Sequence, residues 1–331
     1  ELRVSKDIPC EEGVLVAARV LNTKSRYNQL ELTSGRMATV NQGDVIVGAL
    51  GHRKALRGYS GHLPTSLKPG DTIQLLNIGG VLGICDSANP DVGAPFDCEV
   101  LGTVLSFPYL GERIGVPARA GSSALEDEPA IDTAGVPVIA LAGTCMDSGK
   151  TAAACAIVGR LRHLGFDVAA CKATGVSLRR DVLAMEDAGA STSMIFSDFG
   201  IVTTTEKNGR ELTRALLTGL AQARPDVIVL ELGDGLLGAY GVGAILGDEE
   251  IREALTAVVL CANDPVSAWG GVELLRKEFH IEPALVTGPA TDNEVGVQQI
   301  DERTGLPAIN ALVNPVKLGD KIASLLQRHV T

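Results

Sequence analysis

The sequence predicts an α/β chain in which a parallel sheet carries a phosphate-binding loop (P-loop) and helices cover both its faces, preceded by a smaller β-rich domain of barrel or sandwich type. Three observations predict this. From residue 136 onward, apolar runs alternate with segments of helical period, the pattern of a sheet buried on both sides. One of those runs, 138–142, opens onto a glycine-bearing loop that ends Gly149-Lys150-Thr151 and leads into an alanine-rich stretch. The first 116 residues hold only short strand-like runs broken by turns.

The chain has 331 residues, enough for two cores, and is expected to divide at 1–116, a linker at 117–135, and a nucleotide-binding domain at 136–331. Its 45 % hydrophobic and 21 % charged residues exclude collagen-like and wholly disordered chains. The net charge of −11, without a basic run, argues against nucleic acid as a partner, because phosphate-backbone affinity needs clustered Lys and Arg. Aromatic residues make up 3 % and glycines number 38, so the cores must be built from Val, Leu, Ile and Ala. Seven dispersed cysteines, an odd number with no C-x-x-C, argue against a disulfide framework and a zinc ribbon. A reducing cytoplasm is the expected compartment. The opening Glu1-Leu2-Arg3-Val4 has neither a positive n-region nor an apolar core, and no apolar run reaches the length of about 20 that spans a membrane, so no leader and no membrane segment are expected.

In the first part, strands are expected at 13–20, 29–32, 44–50, 71–76 and 99–105, with Gly43-Asp44 and Gly70-Asp71 as turn-to-strand signals. The stretch 117–137 turns to Ala, Gly, Ser, Pro and acids, with little to bury. Beyond it, strands are expected at 136–142, 167–171, 226–232, 257–262 and 283–287. Helices are expected at 151–164, 181–188, 211–223, 249–254 and 266–278. Ligands then belong at the carboxyl ends of the strands.

The run Val138-Ile-Ala-Leu-Ala-Gly143-Thr-Cys-Met-Asp-Ser-Gly149-Lys150-Thr151 is the strongest signal. Amides of such a loop converge on phosphate oxygens where the helix dipole is positive. Gly143, Thr144, Asp147, Ser148, Gly149, Lys150 and Thr151 are therefore the expected nucleotide contacts, Lys150 neutralising terminal phosphates and the Thr151 hydroxyl holding Mg²⁺. Gly143 and Gly149 enclose five residues, one more than in the usual phosphate loop.

This spacing, with the wording Gly-Thr-x-x-x-x-Gly-Lys-Thr, resembles the dethiobiotin synthetase family and its P-loop relatives that activate small carboxylates or amidate cobyrinate. The resemblance covers Val138 to about Asp187, runs more loosely to Asn263, and leaves Glu1 to Gly135 untouched. It implies ATP and Mg²⁺ as cofactors and a homodimer. It also implies a second lysine facing phosphates and substrate, for which Lys172, 22 residues after Lys150, is the match. The family's proline after this lysine is Ala173 here, so the following loop, with Thr174, Gly175, Ser177, Arg179 and Arg180 as candidate substrate contacts, differs in shape. The Glu-Gly segment that contacts Mg²⁺ in the family is matched by Glu231-Leu-Gly-Asp234-Gly, Glu231 first and Asp234 next. A further metal carboxylate falls on Asp187 or Asp181, either of which also suits a helix surface or cap. Asn263 matches the family's base reader, and an amide pairs with adenine. Asp264 reading guanine, as in GTPases, and a plain Asx-Pro turn are the alternatives.

Gly233-Asp-Gly235-Leu-Leu-Gly238 formally matches G-x-G-x-x-G, but the glycines continue to Gly241, Gly243 and Gly247 and delay the helix. A loop over the nucleotide is the better reading. The segment from His52 to His62, with Arg53, Lys54 and Arg57, is read as a solvated loop, an anion site or a docking face being the alternatives. The five histidines show no ligand spacing.

Together these readings predict an ATP- and Mg²⁺-dependent enzyme that phosphorylates or activates a small carboxylate-bearing metabolite, of kinase or ligase type, with Lys150, Lys172 and Glu231 as its catalytic groups. The competing reading is a GTP- or ATP-dependent switch or chaperone with the β-rich domain as docking module.

Overall fold

The computed structural model of the chain describes residues 2–109, 111, 113–121 and 130–326. Part of the expected linker, 122–129, and the C-terminal 327–331 lie outside the described residues. The chain forms two units. One takes in Glu1–Ala124 with two later segments, Val176–Arg180 and Phe196–Thr203; the other holds Leu125–Gly175, Asp181–Ile195 and Thr204–Thr331.

The first unit consists of short strands: β1 (Val4–Ser5), β2 (Leu15–Val20), β3 (Gln29–Glu31), β4 (Met37–Thr39), β5 (Val45–Leu50), β6 (Arg53–Lys54), β7 (Tyr59–His62), β8 (Thr72–Asn77), β9 (Val81–Ala88), β10 (Phe96–Ser106) and β11 (Val116–Pro117). Pairing runs β10-β2-β5-β9, and β8 bonds both β9 and β10, so five strands close on themselves. Of the two expected alternatives the unit is therefore a barrel. Closure leaves those strands without unpaired edges. Alternate side chains fill the interior: Val16, Ala18, Val20, Ile46, Leu50, Ile73, Leu75, Leu82, Phe96, Cys98 and Val100 form one buried cluster.

The expected solvated loop at 52–62 is instead ordered as β6 and β7. Arg53 is buried, with Nη1 donating to Tyr27 Oη at 2.8 Å and to the Leu76 carbonyl. Single-residue polarity misleads here because a guanidinium can be buried when aromatic faces and carbonyls receive it.

The second unit contains β12 (Val138–Gly143), β13 (Val168–Lys172), β14 (Thr192–Ile195), β15 (Val227–Glu231), β16 (Leu255–Cys261) and β17 (Leu285–Thr287). Its helices are α1 (Lys150–His163), α2 (Arg180–Asp187, Arg180 itself counted with the first unit), α3 (Gly209–Ala221), α4 (Val242–Gly247), α5 (Glu249–Ala254), α6 (Pro265–Glu278), α7 (Glu294–Thr304) and α8 (Pro315–Leu326). The sheet order is β14-β13-β15-β12-β16-β17, all parallel. Every residue of β12, β13 and β15 is buried, as their unbroken apolar runs require under helices on both faces.

Strand β14 had no signal in the sequence: Thr-Ser-Met-Ile is short and polar, and as an edge strand it needs only β13 for a partner. Helices α7 and α8 are likewise weakly marked in the sequence. The first carries Gln, Asp and Glu on all but a narrow buried face, and the second packs against α1 through the close approach of Gly319 to Arg160. Among the described residues no helix is long and apolar enough to cross a membrane.

Candidate active site in the α/β unit

Strand β12 lies in the middle of the sheet, between β15 and β16, and the chain leaves it first toward β13 and later toward β16. This is the point in an open parallel sheet where a crevice forms outside the carboxyl ends. The loop after β12 turns into α1 at Gly149, the N-cap, with φ 87°, a left-handed conformation glycine adopts without strain. At Gly143 a Cβ would stand 2.5 Å from Ser148 Oγ and 2.6 Å from Lys150 Nζ, so only a glycine lets the lysine lie back across the loop.

Lys150 is buried, and its ammonium donates to the Cys145 carbonyl at 2.9 Å, to Ser148 Oγ at 3.3 Å and to the Asp234 carbonyl. Burial pulls its pKa below the ordinary lysine value, against the opposing pull of Glu231. Thr151 Oγ1 donates to Glu231 Oε1 at 3.2 Å. Lys172 and Glu231 are register partners on β13 and β15, which puts the second ammonium 3.9 Å from Glu231 Oε1, and Lys172 also pairs with the buried Asp181 of α2. Burial raises the Glu231 pKa; Lys172 and Lys150 act against that rise, and Asp181 adds to it. Two cations and two carboxylates thus converge beside a helix N-terminus.

Glu231 Oε2 is buried and has no hydrogen-bond partner. A buried carboxylate oxygen of this kind is expensive unless a ligand completes it. Among the described residues no cluster of three or more His, Cys, Asp and Glu is arranged to hold a metal by itself. Mg²⁺ takes one or two protein oxygens and keeps the rest for water and phosphate. Thr151 and Glu231 fit that role.

The segment after β15 lies against the loop. Leu236 N donates to the Gly143 carbonyl at 2.8 Å, and a Cβ on Gly235 would come within 2.8 Å of the Thr144 carbonyl. The glycines serve this close approach, and α4 starts only at Val242, after Gly241. A strand, a glycine loop at a helix N-terminus, a buried loop lysine, and a hydroxyl paired with an acid on the neighbouring strand together decide the fold. The α/β unit has the fold expected of it, a parallel sheet under helices with a glycine loop between β12 and α1.

The other expected site residues fall as follows. Thr144 Oγ1 donates to Asn263 Oδ1 at 3.4 Å, which brings Asn263 to the phosphate loop. Asp147 sits in the loop with φ 56°, and Ser148 is fully buried beneath it. Thr174 is buried, donating from Oγ1 to the Gly233 carbonyl at 3.0 Å, and Gly175 N donates to Thr204 Oγ1 at 2.8 Å. Ser177, Arg179 and Arg180 belong to the β-rich unit, where Arg179 pairs with Asp198 at 2.7 Å. Of the two aspartates, Asp181 is brought to Lys172, while Asp187 is exposed in the last turn of α2. Asp264 caps α6, its Oδ1 accepting from Val266 N and Ser267 N at 2.9 Å each, with Ser267 Oγ accepting from Asp264 N in return. The bonds Lys150 makes to main-chain carbonyls left no trace in the sequence, because a carbonyl carries no residue identity.

No family model matches the chain, and no curated protein matches it. Solved structures similar to it include the signal recognition particle receptor FtsY from Elizabethkingia anophelis, at 13 % identity and a TM-score of 0.42, covering 56 % of this chain and 64 % of that one. Signal Recognition Particle 54 kDa protein from Aeropyrum pernix K1, in complex with GDP, is 17 % identical, with a TM-score of 0.38 and coverage of 62 % and 50 %. Chloroplast FtsY from Physcomitrella patens is 14 % identical, with a TM-score of 0.38 and coverage of 57 % and 61 %. The chain spans between half and just under two thirds of the length of these structures.

Proposed function

We propose that the α/β unit binds a nucleoside triphosphate with Mg²⁺ and cleaves its terminal phosphate, and that the chain uses ATP in this way to phosphorylate or otherwise activate a small carboxylate-bearing metabolite. The observation that carries this reading is Lys172, a second buried ammonium held with Lys150 around Glu231. A protein that only binds nucleotide needs one loop lysine. A second cation at the neighbouring strand end suits charge that develops on a phosphoryl group in transit to an acceptor.

In this reading the loop amides and Lys150 orient the phosphates, and Thr151 and Glu231 hold the metal, which neutralises phosphate-oxygen charge when bound. Lys172 gives up Asp181 for the incoming anionic acceptor. The resemblance of the loop to the dethiobiotin synthetase family supports a carboxylate as that acceptor.

One observation favours a second reading, a GTP- or ATP-dependent switch. Lys150 is bonded to the Asp234 carbonyl, and a nucleotide that recruits this lysine must release the glycine segment 233–238, moving it in step with the nucleotide state. The cap that Asp264 makes leaves its Oδ1 engaged in protein contacts, which weighs against Asp264 as the guanine reader.

Calorimetric titration of ATP and GTP, with and without Mg²⁺ and with Lys150→Ala as control, tests both. Mg²⁺-dependent ATP binding lost in the variant, followed by phosphate release accelerated by a carboxylate metabolite, supports the enzyme. Selective GTP binding with slow turnover indifferent to metabolites supports the switch, and no binding of either overturns both.

A further inference from the structure

In the barrel unit the segment 22–26, which follows β2, faces the segment 90–94, which leads toward β10, across a cleft of about 460 Å³, room enough for a small molecule. Asn22 braces the two segments: its Oδ1 accepts from Asp97 N at 3.0 Å and its Nδ2 donates to the Pro95 carbonyl at 3.3 Å. Two cations line the cleft, Lys24 and Arg26, and neither belongs to a motif read from the sequence. Lys24 is half-buried, and everything that receives its ammonium is neutral: Tyr59 Oη at 2.5 Å, the Val92 carbonyl at 3.1 Å, the Ala94 carbonyl, and the faces of the Tyr59 and Phe96 rings, 5.2 and 5.7 Å from the nitrogen. Burial pulls its pKa below the ordinary lysine value, against the pull of Cys85. Arg26 is exposed and donates from Nη1 to the Asp91 carbonyl at 3.4 Å. Among the described residues neither cation pairs with a carboxylate, and Asp91, the acid that lines the cleft, pairs with Arg57 at 3.5 Å.

An ammonium held half out of water by neutral groups alone has lost hydration and gained no opposite charge in return. We propose that this cleft binds a small oxyanion, a carboxylate or phosphate group on a polar molecule, with Lys24 and Arg26 as its cationic contacts. The three ammonium protons of Lys24 are shared among Tyr59 and two carbonyls, and exchanging one carbonyl for an oxyanion replaces a neutral acceptor by a charged one, a bond about twice as strong. The planar fork of Arg26 meets two oxygens of a carboxylate or a phosphate side by side. The hydroxyls of Thr23 and Ser25 line the same cleft and can donate to or accept from the polar remainder of the molecule. The site lies wholly within the barrel unit, goes beyond the nucleotide reading and does not rest on it.

The test titrates the full-length chain carrying Lys150→Ala, which weakens any phosphate binding at the loop after β12, with succinate, inorganic phosphate and neutral succinamide at constant ionic strength. Backbone amide NMR shifts of 22–26 and 90–94 are the readout. Expected are saturable shifts in these two segments with succinate, with phosphate or with both, none with succinamide, and an affinity that falls as sodium chloride is raised. A response to succinate alone assigns a carboxylate ligand, and a response to phosphate alone assigns a phosphate group. Lys24→Met should weaken binding about tenfold or more, the scale of losing a charged hydrogen bond. Arg26→Ala, on an exposed side chain, should weaken it about three- to fivefold. Arg19→Gln, which removes an exposed barrel cation paired with Glu99, should leave it unchanged. No saturable shift in either segment with either anion overturns the proposal, and so does a response to succinamide equal to that to succinate. An anion response that Arg26→Ala leaves intact overturns it as well, whether or not Lys24→Met folds.

Discussion

In the α/β unit, β12, β13 and β15 are buried at every position, whereas in the barrel β5 buries only alternate residues and β10 does so along most of its length. A strand covered on both faces has no side on which to place a charge along its length. Charge is displaced to the strand ends, and there Lys172 terminates β13 and Glu231 terminates β15. The barrel strands carry polar residues outward all along, as at Asp97 and Glu99, and nothing concentrates them at one end. Layer architecture thus accounts for the gathering of titratable groups in one unit and their dispersal in the other.

Four experiments sharpen or break this contrast. Lys150→Ala should show the largest effect, about 10²–10³-fold or more in nucleotide turnover, the scale of losing one preorganised donor to developing charge. Far-UV circular dichroism should show the fold intact, and a variant that still turns over nucleotide would contradict the site. Next, Ile139→Ala in the doubly covered β12 should cost about 2–5 kcal/mol. Val47→Ala on the half-buried face of β5 should cost well under half of that. Equal losses in denaturant titrations would mean that the barrel's outer face is as well packed as the inner sheet.

Removing the α6 cap with Asp264→Ala should cost about 1 kcal/mol, since Val266 N and Ser267 N lose their acceptor. The same variant leaves ATP affinity unchanged if Asp264 is only a cap, and a gain of GTP over ATP discrimination in wild type that vanishes in the variant would restore it as a base reader. The smallest effect concerns Tyr59, which is buried beside Lys24 and Tyr27 in the barrel. Burial first, and then Tyr27, push its phenol up to about 12, against the pull of Arg53. Because the folded value lies above the ordinary 10.0, stability from this group is intact below pH 10 and is lost as pH rises from there through about 12. Absorbance at alkaline pH should show a late-ionising phase that Tyr59→Phe removes, and a Tyr59→Phe variant whose alkaline titration loses no late phase would remove the barrel's cation–aromatic stack as a buried feature.

The strand, glycine loop and helix around Lys150 were legible because an unbroken apolar run marks the strand in the sequence itself, whereas Lys172 and Glu231 were singled out by the family resemblance and the structure adds that they are register partners at the ends of β13 and β15. The closed barrel was legible only as a β-rich stretch. Closure depends on β8 bonding both β9 and β10, a long-range pairing that no local pattern encodes. Arg53 reads as a surface cation until two tyrosine rings 5.6 Å apart are seen to receive it.

What the sequence by itself determined is the strand, glycine loop and helix at the sheet's carboxyl edge, since they are contiguous and hydrophobic periodicity writes them directly. Only the tertiary structure decided which of Asp181 and Asp187 meets Lys172, that Lys150 rests on the Asp234 carbonyl, and that β8 bonds both β9 and β10. Those are contacts between segments remote in sequence, made through a helix phase or a main-chain atom, and neither leaves a mark on the identity of the residues involved.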